Sequence, residues 1–223
     1  MRNVLAPECA PLLRELAAEP PLLVFDFDGT LAPIVADRDR AALRDETRTL
    51  LKIVSLLYPC AVVSGRRRAD VQGRLAGVPL VAVVGNHGAE AGRGPVDRSP
   101  RAQVAAWRDA LARELAGLPG VDLEDKGLSI AVHYRHAPAR IEARRAIVAA
   151  ARPLPGARVF GGRAVVNVTP EGSHDKGDAV ARLLGRLGKR RALYVGDDAT
   201  DEDAFRCPHV AAGVRVGRTH LSA

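Results

Sequence analysis

The apolar runs of this chain are short, and each ends abruptly in polar residues and glycine. Leu22, Leu23 and Val24 lead into Phe25-Asp26-Phe27-Asp28-Gly29-Thr30-Leu31. The run 60–63 ends at Ser64-Gly65-Arg66, and 80–84 ends at Gly85-Asn86-His87-Gly88. The run 191–195 ends at Gly196-Asp197-Asp198. Apolar runs of this length, bounded by turn residues, predict strands buried on both faces. Between them the spacing turns helical. Leu43, Thr47, Leu50, Leu51, Val54 and Leu57 predict a helix over 43–57, and a second covers 68–76. Ala179, Val180, Leu183, Leu184 and Leu187 predict another that starts near Lys176. A short amphipathic helix over 8–18 stops at Pro20-Pro21, and 210–216 reads as a last short strand. Alternating strands and helices predict an α/β fold with a doubly wound parallel sheet.

The texture changes after Glu90. Gly92, Gly94, Pro95 and Pro100 read as a linker. A helix over 102–116 follows, then strands 122–126 and 128–135 joined at Gly127, and a helix over 139–151. Strands 158–160 and 164–168, turned by Gly161-Gly162, complete an αββαββ unit. The expectation is an antiparallel sheet with two helices on one face, inserted into the parallel-sheet domain. The predicted division is a core of 1–92 and 170–223 and an inserted domain of 93–169.

At 223 residues and 47% hydrophobic, the chain can bury one substantial core plus a smaller inserted one. The net charge is +7. Lysine occurs only at positions 52, 126, 176 and 189, so the positive charge is nearly all arginine. The arginines are scattered and aromatics make up only 4%, which argues against a nucleic-acid interface. A positive field does suit an anionic substrate. Cys9, Cys60 and Cys207 are far apart and form no C-x-x-C, so neither zinc nor disulfides are expected. There is no signal-like segment and no run long enough to span a membrane, which predicts a soluble, cytoplasmic protein.

The strand ends carry the chemistry. In an open α/β sheet, ligands bind beyond the carboxyl ends of the strands. Here those ends present Asp26 and Asp28, then Ser64, then Asp197, Asp198 and Asp201, with Lys176 at a helix start. Each has an ordinary explanation on its own. Ser64 fits a turn or helix cap, Lys176 a solvated helix residue, and Asp201 favourable charge at a helix N-terminus. Together they suit Mg²⁺-assisted phosphoryl transfer. One carboxylate attacks phosphorus, others hold a hard cation, and lysine and magnesium offset like-charge repulsion.

The segments D-F-D-G-T-L, V-V-S-G-R, Lys176-Gly177 and G-D-D resemble the haloacid dehalogenase superfamily of phosphatases. The longer stretches D-F-D-G-T-L-A-P-I (26–34), G-N-H-G-A-E (85–90), E-D-K (124–126), H-Y-R (133–135) and G-D-D-A-T-D-E-D-A-F (196–205) resemble its trehalose-6-phosphate phosphatase branch. The resemblance covers about residues 22–217. It implies a Rossmann-like core with an α/β cap, and a Mg²⁺-dependent hydrolysis of trehalose 6-phosphate. It also implies roles. Asp26 is the expected nucleophile, and Asp28 the acid and base whose carbonyl also ligates Mg²⁺. Asp197 is a metal ligand, with Asp198 and Asp201 acting directly or through water. Thr30, Ser64 and Lys176 bind phosphate, and Glu124, Lys126 and Arg135 bind sugar hydroxyls. A charged, exposed strand face would also explain those three cap residues. Asn86 and His87 either touch the sugar phosphate or shape a turn. His133 shares a strand face with Arg135, and Trp107 is expected to pack the cap.

Where the family shows a segment like E-V-R-P, whose glutamate contacts sugar, this chain has Asn167-Val168-Thr169-Pro170. Asn167 can still bond hydroxyls, but it has no charge. A phosphatase for sucrose or mannosylglycerate phosphate therefore stays open beside trehalose 6-phosphate. So does a catalytically silent sugar-phosphate-binding protein, although retaining both Asp26 and Asp28 argues against it. The family also leads one to expect a helix after the last core strand, and the sequence stops at Ala223 before one. A monomer is expected, with trehalose-6-phosphate synthase as a candidate pathway partner.

Overall fold

The structure is a computed structural model that describes residues 4–35, 37–91 and 99–217. Most of the expected linker after Glu90, and the last six residues, lie outside them.

Helix α1 (Ala10–Ala18) leads into strand β1 (Leu22–Phe25). There follow α2 (Asp45–Leu57), β2 (Cys60–Val63), α3 (Arg68–Arg74), β3 (Ala82–Gly85) and the short β4 (Glu90–Ala91). The inserted stretch supplies α4 (Arg101–Glu114), β5 (Asp122–Asp125), β6 (Ile130–His133), α5 (Arg140–Ala151), β7 (Ala157–Gly162) and β8 (Val165–Pro170). The chain then returns through α6 (Lys176–Leu187), β9 (Ala192–Gly196), α7 (Glu202–Phe205) and β10 (Val210–Arg215).

The core sheet has the order β10-β9-β1-β2-β3-β4, parallel except for β4. Alternation along β1 sorts its side chains to two layers. Leu22 and Val24 pack under Ala179, Val180, Leu183 and Leu184 of α6. Phe25 packs on the other layer, with Leu51 of α2 and Val71 of α3. Helix α6 starts at a capping box, Asp175 with Asp178, and stops at Gly188 in the left-handed region (φ 62). Its amphipathic face seals one side of the sheet, each buried leucine contributing about 1.5–3 kcal/mol.

The chain leaves β1 for β2 on one side and later adds β9 on the other. The gap between the tips of β1 and β9 is thus the topological switch point, where this architecture opens a crevice. Asp26 follows β1 directly and Asp197 follows β9. The Asp26 amide donates to the Val195 carbonyl at 2.8 Å, which pins the two tips together.

The second sheet is antiparallel, with the order β5-β6-β8-β7. Its apolar face, Ile130, Val132, Val166 and Val168, packs on α4 and α5 around Trp107, Leu111 and Ile147. This is the expected arrangement, and the class is the doubly wound α/β core with an αββαββ cap. One detail differs. The predicted turn at Gly161-Gly162 lies within β7, and the chain reverses at Arg163-Ala164, where Ala164 takes φ 58. Gly162 is small for another reason. A Cβ there would stand 3.1 Å from Asp198 Oδ2 and 2.9 Å from Val165 Cγ1, so the glycine admits the core loop rather than the bend.

Candidate active site

A cleft of about 450 Å³ lies between the core strand tips and the polar face of the cap sheet. That size fits a small polar ligand. The core contributes Asp26, Asp28, Gly65, Arg66, His87, Lys176, Asp197 and Asp198 to its walls. The cap contributes Glu124, Lys126, His133, Arg135 and Asn167. Cap register explains the second set. Glu124, Ala131, Asn167 and Phe160 stand opposite one another across the sheet, as do Asp122, His133, Val165 and Gly162. Both rows lie on the face turned away from α4 and α5.

At the cleft floor Lys176 joins two carboxylates. Its Nζ donates to Asp26 Oδ1 at 2.8 Å and to Asp201 Oδ1 at 2.7 Å, and all three residues are buried. Burial pushes the Asp26 carboxyl well above its ordinary range, against the pull of Lys176. Burial also works against the Lys176 ammonium, but Asp26, Tyr194 and Asp201 outweigh it and raise its pKa well above the ordinary lysine value. Asp201 is an organiser. It accepts from the Tyr194 hydroxyl at 2.7 Å, and from the Asp197 and Asp198 amides at 3.0 and 2.9 Å, besides Lys176. Burial opposes its charge, yet Lys176 and these donors hold its pKa below the usual value.

Asp197 is the complement of Asp201. Its Oδ1 is buried and has no hydrogen-bond partner. Burial raises its pKa to about 6, and Asp198 and Asp201 push the same way. The carboxylate lies so close to Gly29 that a Cβ there would stand 2.1 Å from Asp197 Oδ2, and Gly29 itself takes φ 90. Oxygens of Asp26, Asp197 and Asp201 lie within 4.8 Å of one another, a donor set that fits a hard divalent cation. Asp198 faces differently. Its carboxylate accepts from the Ala199 amide at 2.6 Å and from the Arg163 amide of the cap at 3.3 Å.

Asp28 is gripped by Arg66 in a two-pronged pair, Nε to Oδ2 at 2.7 Å and Nη2 to Oδ1 at 2.8 Å. Among the other expected phosphate ligands, the Ser64 hydroxyl is buried and accepts from the Arg66 amide at 3.1 Å. The Thr30 hydroxyl is buried with no hydrogen-bond partner. Neither residue lines the cleft.

The G-N-H-G loop resolves into two different jobs. Asn86 and His87 both take left-handed backbone, φ 50 and 57. The Asn86 amide is spent inside the protein, donating to Glu90 Oε1 at 2.9 Å and the Lys126 carbonyl at 3.3 Å and accepting from Ser129 Oγ at 2.7 Å. It does not line the cleft, because it pins core to cap. His87 does line it, edge-on to Phe160 with ring centroids 5.3 Å apart. Burial pushes its pKa well down, helped by Lys126 and Lys176.

On the cap, Glu124 Oε2 meets His133 Nε2 at 2.9 Å, Arg38 Nη1 at 3.2 Å and Lys126 Nζ at 3.8 Å. Burial would raise this carboxyl, but His133, Lys126 and Arg38 bring its pKa down to about 2. Lys126 is buried and donates to the Gly65 carbonyl at 2.8 Å, and burial lowers its pKa. Arg135 donates to the Val35 carbonyl. Sequence reasoning missed Arg38, Tyr194 and the grip of Arg66. Only the S-G-R motif gave any signal, by placing Arg66 at a strand tip.

The trehalose-phosphatase family model matches residues 24–217. The chain belongs to the trehalose-phosphatase family. It is 36% identical over 198 residues to the trehalose-phosphate phosphatase of Mycobacterium marinum, an alignment covering 83% of this chain and 50% of that protein. The chain thus spans about half the length of the curated relatives it matches. In fold it is similar to the C-terminal domain of Candida albicans trehalose-6-phosphate phosphatase, with a TM-score of 0.69 and 24% identity over 88% of this chain and 77% of that one. It is also similar to the Synechocystis sucrose-phosphatase solved with sucrose and phosphate, with a TM-score of 0.56 and 16% identity over 87% and 82% of the two chains. No described helix is long and apolar enough to cross a membrane.

Proposed function

We propose that this chain hydrolyses trehalose 6-phosphate to trehalose and phosphate through an aspartyl-phosphate intermediate, with Mg²⁺ as cofactor. The observation that carries this reading is Asp26, a buried carboxylate at the switch-point strand tip. Lys176 lies 2.8 Å away and a polar cap face stands opposite. We take 93–169 as the substrate-reading cap and the remainder as the catalytic core. The curated relatives bear the name trehalose-phosphate phosphatase, and that name supports the choice of sugar.

Asp26 attacks phosphorus and forms an acyl phosphate. Asp28 protonates the departing sugar oxygen, then takes a proton from the water that cleaves the acyl phosphate. Lys176 places a fixed positive charge beside the attacking carboxylate and orients the phosphate oxygens. Asp26, the Asp28 carbonyl and Asp197 would hold Mg²⁺, while Asp198 and Asp201 support them directly or through water. When bound, the ion supplies charge that offsets repulsion between phosphate and carboxylate. Glu124, Lys126, Arg135 and Asn167 bond sugar hydroxyls, and His87 stands between phosphate and sugar. The closed cap excludes water.

Asn167 favours a second reading. It faces the cleft where an acid would bind sugar more strongly, which suits another glycosyl phosphate such as that of sucrose or mannosylglycerate. The test is phosphate release from trehalose 6-phosphate with and without Mg²⁺, beside glucose 6-phosphate and sucrose 6-phosphate. Mg²⁺-dependent preference for trehalose 6-phosphate is expected. Faster turnover of another sugar phosphate would reassign the substrate, and no turnover by folded protein would defeat the reading.

A further inference from the structure

Arg38 belongs to none of the motifs, yet it is the core side chain that reaches the cap's sugar-facing carboxylate. It opens a short helical turn, Arg38–Arg40, in the loop between β1 and α2. That loop is fastened to the core from below. Arg66 Nη2 donates to the Arg38 carbonyl at 2.8 Å, and Arg74 Nη1 donates to the Asp39 carbonyl at 3.0 Å. The Arg38 guanidinium points the other way. Its Nη1 stands 3.2 Å from Asp122 Oδ2 and 3.2 Å from Glu124 Oε2, both on β5 of the cap.

Two features make this more than a surface ion pair. Arg38 shares Glu124 Oε2 with His133 and Lys126, so the carboxylate joins core and cap cations at one atom. In addition, the Arg66 Nη2 that holds the Arg38 carbonyl also holds Asp28 Oδ1. A continuous line of charged and hydrogen-bonded groups therefore runs from Glu124 through Arg38 and Arg66 to Asp28.

We propose that Arg38 is a positioning residue that ties the cap carboxylate Glu124 to the core loop gripping Asp28, so that closing the cap on a hydroxyl-rich substrate also sets the acid–base carboxylate. The inference rests on the functional reading above for the roles of Glu124 and Asp28. Arg38 lines the cleft beside Glu124. It acts by fixing the orientation of Glu124 and the height of the loop under the cap.

The experiment uses the whole chain with Arg38→Ala, Arg38→Lys, Glu124→Gln and the Arg38→Ala/Glu124→Gln double variant. Each is assayed on the sugar phosphate that the wild type turns over best and on p-nitrophenyl phosphate. Arg38→Ala is expected to lower kcat/KM for the sugar phosphate about tenfold more than for the small ester, with part of the loss in kcat. Arg38→Lys recovers part of it. The double variant is expected to be within about twofold of the worse single variant, because both act through one linkage. Equal losses on both substrates, or fully multiplicative losses in the double variant, would overturn the inference. Hydrogen exchange of β5 amides without substrate gives an independent readout. It should quicken in Arg38→Ala, and an unchanged rate would also overturn the tie. A wild type inert on all sugar phosphates would defeat the functional reading alone, since the exchange arm needs no substrate.

Discussion

Two clusters of charge face each other across the cleft, and they are built by opposite rules. Below, Lys176, Asp26, Asp201 and Tyr194 are buried, and each hydrogen bond runs between groups held by strands or a helix start. Above, Arg38, Glu124, His133 and Lys126 meet at one carboxylate that water also reaches, and Arg38 crosses from core to cap. Burial sets the difference. Charges removed from water are costly unless every partner is present, so the lower cluster tolerates no loss. The upper cluster is only half-buried, so its pairs are weaker than those below and can yield to a ligand hydroxyl. One cluster is suited to fixed chemistry and the other to choosing what is presented to it.

The sharpest way to break the comparison is at Asp26. Asp26→Asn keeps the size and the Lys176 contact but removes the proposed nucleophile, so turnover should fall at least about a thousandfold on every substrate, sugar phosphate and small ester alike. Initial rates on both classes check this. Residual activity within tenfold of wild type on either would remove Asp26 from the covalent role and erase the contrast between a universal floor and a selective roof.

Lys176→Met comes next. It leaves Asp26 and Asp201 buried side by side without their cation, which should cost about 3–5 kcal/mol of folding stability besides activity. Urea unfolding followed by circular dichroism measures it. A loss under 1 kcal/mol (roughly the exposed-pair range) would mean the lower cluster behaves like the upper one.

The lower cluster was largely legible in the sequence and the upper one only partly, for a physical reason. Asp26 and Asp197 sit where buried apolar runs end, and parallel packing of such runs forces their tips together, while Lys176 starts the amphipathic helix that packs on them. The tripeptide Glu124-Asp125-Lys126 showed a charged strand but not its direction, because alternation alone serves an exposed face as well as a cleft. Arg38 gave no signal, since its partners Asp122 and Glu124 are distant in sequence and meet it only after the cap docks. Tyr194 looked like one more apolar residue of a buried strand, and its hydroxyl bond to Asp201 depends on a loop that turns back on itself. The glycine pair 161–162 misled because glycine marks close approach as often as a turn, and here Asp198 is what approaches.

The smallest expected effect tests the upper cluster by pH. The Glu124 pKa is brought down to about 2 in the folded chain, below its ordinary 4.5. A carboxylate with a depressed folded pKa stabilises the fold fully above its unfolded pKa, and that contribution fades as pH falls through the folded value. The cap pairing is therefore intact at neutral pH and erodes below about pH 4.5. Because the group is partly solvated, the wild type's advantage over Glu124→Gln in urea unfolding should shrink by only about 1 kcal/mol between about pH 6 and about pH 3. The lower cluster shares the acidic range, but Asp26 and Asp201 are present in both proteins, so their titration cancels in the difference. A difference that stays constant over that span would show that Arg38, Lys126 and His133 do not hold Glu124 ionised. A difference that grows on acidification would mean that the protonated carboxyl fits the cap better than the charged one, reversing the contrast between the two sides of the cleft.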